Sequence, residues 1–469
     1  MSRETMERLQ ELRGNLSALA AELTAAGADS PPTDGLEDLV EDAKGVVVPQ
    51  GGKQTAAVSA SCRVMRGEFV QLGREYAAAG EALRFALEGV KILDAAYLGG
   101  GLVAVVFTQV TETKFKAMQR EQSGEIALGN TLVIVADEAL EQARIVPMSA
   151  GQCVVVYNQD AAGMAQLINL SGRTASTAGT DIWDADDPCN LCACKVSGEM
   201  LLLGGMRQSA AHAGEAWVTA ARIRDGQLLA LDSYAMRIDG ANDPDEYAGA
   251  WSMATVDEGV AALTYYVGGG KPNELAILDV DTATGRISVR CITSCKYAGA
   301  LPNASLAGLG DGLLLSAYGV SYLSADTSVL KSTLAVELWG LTRYAAQLIS
   351  HALEGTRYDA AVGCVHAAAT GAGGAVSYAV ENIMGVTVCD LTSDGPIPAP
   401  LITLGSFEDF FAAIPTGETG AMLIYQQEGS AYCTPLTAVQ VAYPSQGHIH
   451  GIALSGGEAG ESVQIARVQ

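Results

Sequence analysis

The residues of this 469-residue chain best suited to chemistry are a histidine pair near its end, a cysteine cluster near its middle and several acidic loops. His448 and His450 stand in GHIHGIAL, and on a strand the residue between them turns both imidazoles to one side. Around a threefold axis three such pairs would form an octahedral nitrogen set for a transition metal, whereas without symmetry they are polar residues on an exposed terminal strand. Cys189, Cys192 and Cys194 occur in DPCNLCACKV, where the period of two puts only Cys192 and Cys194 on one face. A structural zinc site needs four ligands, usually as two separated pairs, and no second pair exists, so these read as buried strand thiols. Acidic groups cluster at Asp184, Asp186 and Asp187, at Asp243, Asp245 and Glu246, and at Glu408 and Asp409. Such loops could hide a glycosidase pair or a calcium site, but on an acidic protein they are more often solvated surface. His212, His351 and His366 have no serine or carboxylate at a telling offset, and the glycine clusters lack the neighbours of a P-loop or a dinucleotide fingerprint. Neither catalytic residues nor a cofactor are expected.

The elements that position these residues show as a recurring unit, a glycine followed at once by a short apolar strand. The strands are LVAVVF after Gly101, QCVVVY after Gly151, EMLLLG after Gly198, VAALTYY after Gly259, LLLSAY after Gly312, CVHAAA after Gly363 and AMLIYQ after Gly420. Their spacing, 47 to 61 residues, suits a four-stranded propeller blade with its loops. Most units end in a hairpin, most clearly at Asp225-Gly226, a dipeptide favoured where both turn residues need positive φ. The fold class expected is mainly β, a seven-bladed β-propeller with six blades as the alternative, since the stretch from Asp137 to Gly151 is tight for two strands. The surplus strand signal from Cys62 to Leu93, with FVQL and ALRFAL, is assigned to completing the last blade and so closing the ring.

In front of the propeller, Leu9, Leu12, Leu16, Leu19 and Leu23 alternate spacings of three and four, the seam of a coiled coil. A lone helix of that length is marginal in water, so it is expected to associate with copies of itself. The boundaries that follow are a helical oligomerisation and attachment segment at 1–45, a linker at 46–58, the propeller at 59–445 and a C-terminal β-hairpin element at 446–469.

Composition excludes several function classes. With 28 Lys+Arg against 53 Asp+Glu, the formal charge of −25 repels phosphate backbones and anionic headgroups, so no nucleic-acid partner is expected. The longest apolar strings are strand-length, so no membrane insertion is expected either. The start MSRETMERLQELRG fits no signal or transit peptide, and the ten cysteines are expected to be mostly free thiols in a reducing compartment.

Two segments resemble tail fibre, baseplate and other virion appendage proteins of tailed bacteriophages. One is the N-terminal helix with the short helix at Gly35 to Lys44, which is similar to the attachment end of such proteins. The other, GIALSGGEAGESVQI at 451–465, is similar to a glycine-rich element near the ends of many phage structural proteins. The resemblance implies a non-enzymatic tail fibre or appendage protein, made in the host bacterial cytoplasm and located in the virion. It implies a homo-oligomer, a trimer being favoured, with other phage tail or neck proteins and a host surface glycan or protein as partners. Histidine pairs in trimeric phage fibres hold iron, and His448 and His450 are similar in spacing. The rival readings are a glycan-acting propeller enzyme and a host-encoded protein-interaction scaffold.

Replacing Leu16 and Leu19 by Glu would bury unpaired charge in any helix–helix seam. Light scattering should then find the oligomer reduced to monomers, and an unchanged mass would remove the seam from assembly.

Overall fold

The computed structural model describes residues 53–59, 62–66, 68–121, 123–207, 215–237, 251–266, 271–323, 330–353, 360–370, 373–380, 383–392, 395–398, 402–406, 411–417, 419–444 and 451–467. The leucine seam of the first 26 residues lies outside these. All regular elements in the described residues are strands. They fall into two compact units, one of 76–438 and one joining residues up to 75 with 439–469.

Before the first blade come β1 (Lys53–Val58), β2 (Phe69–Ala78) and β3 (Leu83–Ala86). The first blade is β4 (Val90–Gly99), β5 (Leu102–Gln109), β6 (Glu112–Arg120) and β7 (Ile126–Val135). The second is β8 (Ala143–Ser149), β9 (Gln152–Gln159), β10 (Ala162–Ser171) and β11 (Thr174–Asp184). The third is β12 (Pro188–Ser197), β13 (Met200–Arg207), β14 (Glu215–Arg224) and β15 (Gln227–Arg237). The fourth is β16 (Ser252–Asp257), β17 (Val260–Tyr265), β18 (Glu274–Val280) and β19 (Ile287–Ser294). The fifth is β20 (Ala300–Gly310), β21 (Leu313–Leu323), β22 (Leu330–Leu341) and β23 (Ala346–Leu353). The sixth is β24 (Val362–Thr370), β25 (Gly373–Val380), β26 (Ile383–Thr392) and β27 (Gly395–Pro398), with β28 (Ile402–Ser406) also on β26. Each is an antiparallel meander, and together they make a β-propeller of six complete blades. The seventh place in the ring is filled by β29 (Phe411–Pro415), β30 (Gly420–Gln427) and β31 (Ser430–Pro444), with β3 paired to β31.

The reason for these strands lies in their second members. In β5, Val103, Ala104, Val105 and Val106 are all fully buried, a continuous apolar run because both faces are covered. Alternate residues divide between two cores. Val103, Val105 and Phe107 pack with Ala412, Ile414 and Ile424 of the seventh place, while Ala104 and Val106 pack with Cys153, Val155 and Tyr157 of the second blade. The same division recurs around the ring: Leu201 and Leu203 face the second blade and Leu202 the fourth.

Side chains also bond neighbouring blades to each other. Near the axis, Asp94 Oδ2 accepts the Ile145 N–H at 2.6 Å, Ser252 Oγ accepts that of Leu306 at 3.0 Å and Ser305 Oγ that of Ala367 at 2.9 Å. At the outer rim, Asn130 Oδ1 takes the Ala175 N–H at 2.7 Å, Asp181 Oδ2 that of Leu228 at 2.6 Å and Asp232 Oδ2 that of Ile287 at 3.0 Å. The outer strands β7, β11, β15, β19 and β23 each pair through a register shift, a β-bulge of the kind that re-aims side chains.

Six of the seven glycine-led strands are second strands, β5, β9, β13, β17, β21 and β30. The exception is CVHAAA, which lies on β24, an innermost strand; the second strand there is β25, GGAVSYAV, buried along its whole length. The hairpin at Asp225-Gly226 joins β14 to β15 with φ of 54° and 79°, as its turn chemistry requires. A short β8 fits the tight stretch before Gly151.

In the other unit, β1 pairs antiparallel with β33 (Ser462–Arg467), which pairs with β32 (Gly451–Ala453), which pairs with the start of β2. Ala56, Val58, Val64, Val70, Ala453, Val463 and Ile465 form its core. Strand β1 thus occupies part of the stretch assigned to a linker, because alternate residues of KQTAAV are apolar enough to bury Ala56 and Val58. Gly457 sits where a Cβ would approach Val463 Cγ1 to 2.8 Å, which accounts for that glycine of the terminal element.

Strand β3 places Phe85, 5% exposed, edge-on to Phe107 at 5.8 Å between ring centres, whereas its neighbour Leu87 is 52% exposed. Phe85→Ala should cost about 3–5 kcal/mol of stability and Leu87→Ala less than about 0.5 kcal/mol, measured by urea denaturation. Equal midpoints for the two variants would show that β3 does not hold the ring closed.

Candidate functional site

The innermost strands of all six blades and β29 line one cavity of about 480 Å³ on the propeller axis. Strands crowd together there, so much of the wall is small, including Ala96, Ala193, Ala304 and Ala368, and an apolar patch comes from Trp251 and Met253. Polar side chains interrupt it, among them Asp94 on β4, Arg144 on β8 and His366 on β24, with Ser252 and Ser305 engaged between blades.

Burial pushes the Asp94 carboxyl above the usual carboxylate range, opposed by the Arg144 charge and by the Ile145 N–H. The Arg144 guanidinium donates to the carbonyl of its own neighbour Ala143 at 3.0 Å. His366 is enclosed by the ring yet keeps some contact with the cavity solvent; burial, with Arg144 adding to it, pushes its imidazole down to about 4. It is therefore neutral at physiological pH, and its Nδ1 is buried with no hydrogen-bond partner among the described residues. Trp251 is 2% exposed, and its Nε1 is likewise buried without a partner among them. The arrangement can hold a small molecule with an anionic or accepting end.

The acidic loop at Asp184, Asp186 and Asp187 serves a different purpose. Arg207 Nε meets Asp184 Oδ2 at 3.0 Å and its other arm meets Asp186 Oδ2 at 3.1 Å, while the guanidinium lies 3.5 Å from the centre of the Trp217 ring. Asn158 Nδ2 donates to Asp187 Oδ1 at 2.7 Å. Two of the three carboxylates are thus held by one cation, which leaves calcium little to bind. No group of three or more His, Cys, Asp or Glu among the described residues is arranged to hold a metal.

Cys189, Cys192 and Cys194 are free thiols of β12. Cys192 and Cys194 are buried, and burial pushes the Cys194 thiol up to about 12 and that of Cys192 higher still, so neither is a nucleophile at neutral pH. His351 shares a hydrogen bond of 2.7 Å with the Tyr297 hydroxyl. Glu337, fully buried, accepts the hydroxyl of Tyr318, the Lys296 N–H at 2.7 Å and the Trp339 Nε1–H at 3.0 Å, a network inside the fifth blade. His448 and His450, Leu9, Leu12, Leu16, Leu19 and Leu23, His212, the 243–246 loop and Glu408 and Asp409 all lie outside the described residues.

Asp94, Arg144 and Trp251 belong to no sequence motif, and His366 stands in the sequence as an isolated histidine. The available signal was a lone charge inside an apolar strand, as in ILDAAYL and ARIVPM. Such a residue must face something other than a neighbouring blade's core.

No family of known proteins matches the chain, and no curated protein matches it. Solved propeller structures do resemble it at low identity. A protein from Lactobacillus plantarum is 14% identical over 74% of this chain and 92% of its own, with a TM-score of 0.47. The WD40 domain of Toxoplasma gondii coronin is 10% identical over 83% and 90%, with a TM-score of 0.46. A putative 6-phosphogluconolactonase from Bacteroides uniformis is 10% identical over 66% and 85%, with a TM-score of 0.43.

The Asp184 side chain is 1% exposed and that of Arg207 13%, so their pair is buried. Arg207→Met strands that carboxylate and should cost about 3–5 kcal/mol. Adding Asp184→Asn should restore much of the loss in thermal or urea melts; no recovery would mean that Arg207 acts through its stacking on Trp217.

Proposed function

We propose that this chain is a non-enzymatic structural protein of a tailed-phage virion, a tail fibre or appendage that takes part in host recognition or tail assembly. The observation that carries the non-enzymatic part is the use made of acidic side chains in the blades. Asp94, Asp181 and Asp232 bond one blade to the next, and Asp184 and Asp186 are held by Arg207. A glycan-acting propeller would need two carboxylates facing each other across one bond. Of the described residues lining the axial cavity Asp94 is a carboxylate, and its Oδ2 is already engaged by Ile145.

The virion part rests on the resemblance of GIALSGGEAGESVQI, which forms the β32–β33 hairpin, and of the leading helical segments to phage appendage proteins. A ring whose core is sealed between blades is a rigid carrier for loops that vary with the host. In this reading the N-terminal seam gathers copies, a trimer being favoured, and the partners are other tail or neck proteins and a host surface glycan or protein.

Purified virions of the phage encoding this chain, treated with an antibody to it, should show label on the tail in negative stain. Label absent from intact particles, together with release of sugars from a host glycan panel by the purified chain, would overturn the reading in favour of an enzyme.

A further inference from the structure

We propose that the axial cavity is a binding site for a small organic carboxylate with an apolar body, held by Arg144. The inference is independent of the virion reading, since it concerns what the ring encloses rather than where the ring is mounted.

Three observations meet at this place. First, the Arg144 guanidinium carries five N–H donors in a planar fork, and its hydrogen bond among the described residues goes to the adjacent Ala143 carbonyl. No ion pair joins it to Asp94, whose Oδ2 is bonded to Ile145 N–H, so the fork is left for a guest. Second, His366 and Trp251 line the same cavity, and their ring nitrogens Nδ1 and Nε1 have no partner among the described residues, so neither ring is tied to Arg144 or competes for its fork. Third, the rest of the wall suits an apolar body, with Met253, Trp251 and Ile414 among alanines.

A carboxylate fits this donor set better than the alternatives. Its two oxygens match a guanidinium fork, which no neutral amide does. A cation would face Arg144 at close quarters. Asp94 lies beside Arg144 with its Oδ2 taken up by the Ile145 N–H, so the anionic head is held by the Arg144 fork and the apolar body extends across the axis.

The test uses the full chain and two probes followed by ¹⁹F NMR, 4-fluorobenzoate and its neutral counterpart 4-fluorobenzamide. The acid should bind saturably, and more tightly than the amide by about tenfold or more. Arg144→Gln should weaken the acid by about 10- to 100-fold and leave the amide unchanged. Arg173→Gln, in the exposed turn between β10 and β11, should change neither. Should Arg144→Gln fail to fold, Arg144→Lys keeps the charge without the fork, and weakened binding of the acid is expected there too. Absence of saturable 4-fluorobenzoate binding to the wild-type chain, equal affinity for acid and amide, or undiminished binding in the folded Arg144 variant would each overturn the proposal.

Discussion

Each blade is stable only because its two faces are buried by its neighbours, and almost every other feature of the 76–438 unit follows from that. A four-stranded meander alone would leave one or both apolar faces in water. Here the residues of β5 alternate between the core shared with the second blade and the core shared with the seventh place in the ring. The last interface therefore has to be made by chain from both ends of the propeller, β3 with β29, β30 and β31. Closure also removes edges that would otherwise seek partners in other molecules.

Packing alone allows adjacent blades to slide, because apolar contact is not directional. The side-chain bonds from one blade to a backbone N–H of the next, near the axis at Asp94, Ser252 and Ser305 and at the rim at Asn130, Asp181 and Asp232, supply the direction. Many carboxylates of this acidic chain thus have structural employment. That distinguishes them from Arg144, whose fork faces a cavity with most of its donors unspent, and it is this contrast that makes the axis chemically interesting.

Much of the architecture was legible in the residues. The all-apolar strands after Gly101, Gly151, Gly198, Gly259, Gly312 and Gly420 could be recognised because a strand covered on both faces needs no polar alternation, and the turn at Asp225-Gly226 because its backbone demands those residue types. CVHAAA departs from the other six, since it lies on an innermost strand. There the second strand, GGAVSYAV, is wholly buried but opens on two glycines and is interrupted by Ser377, so its apolar run is short.

The candidate site was not legible, for a physical reason. Periodicity along the chain reports whether a strand is covered, and so it declared the repeat, the mainly β class and the surplus strand signal ahead of the first blade. It cannot report which strands converge, since Asp94, Arg144, Trp251 and His366 are separated by about fifty residues or more and meet only because their blades surround one axis. The same holds for Arg207, which tertiary packing sets over Trp217 and between Asp184 and Asp186, turning an apparent metal loop into a neutralised one. Local pattern decides which segments become strands, because burial and turn geometry act on neighbours in sequence. Ring closure decides which side chains share a cavity, because it acts between residues that the sequence keeps apart.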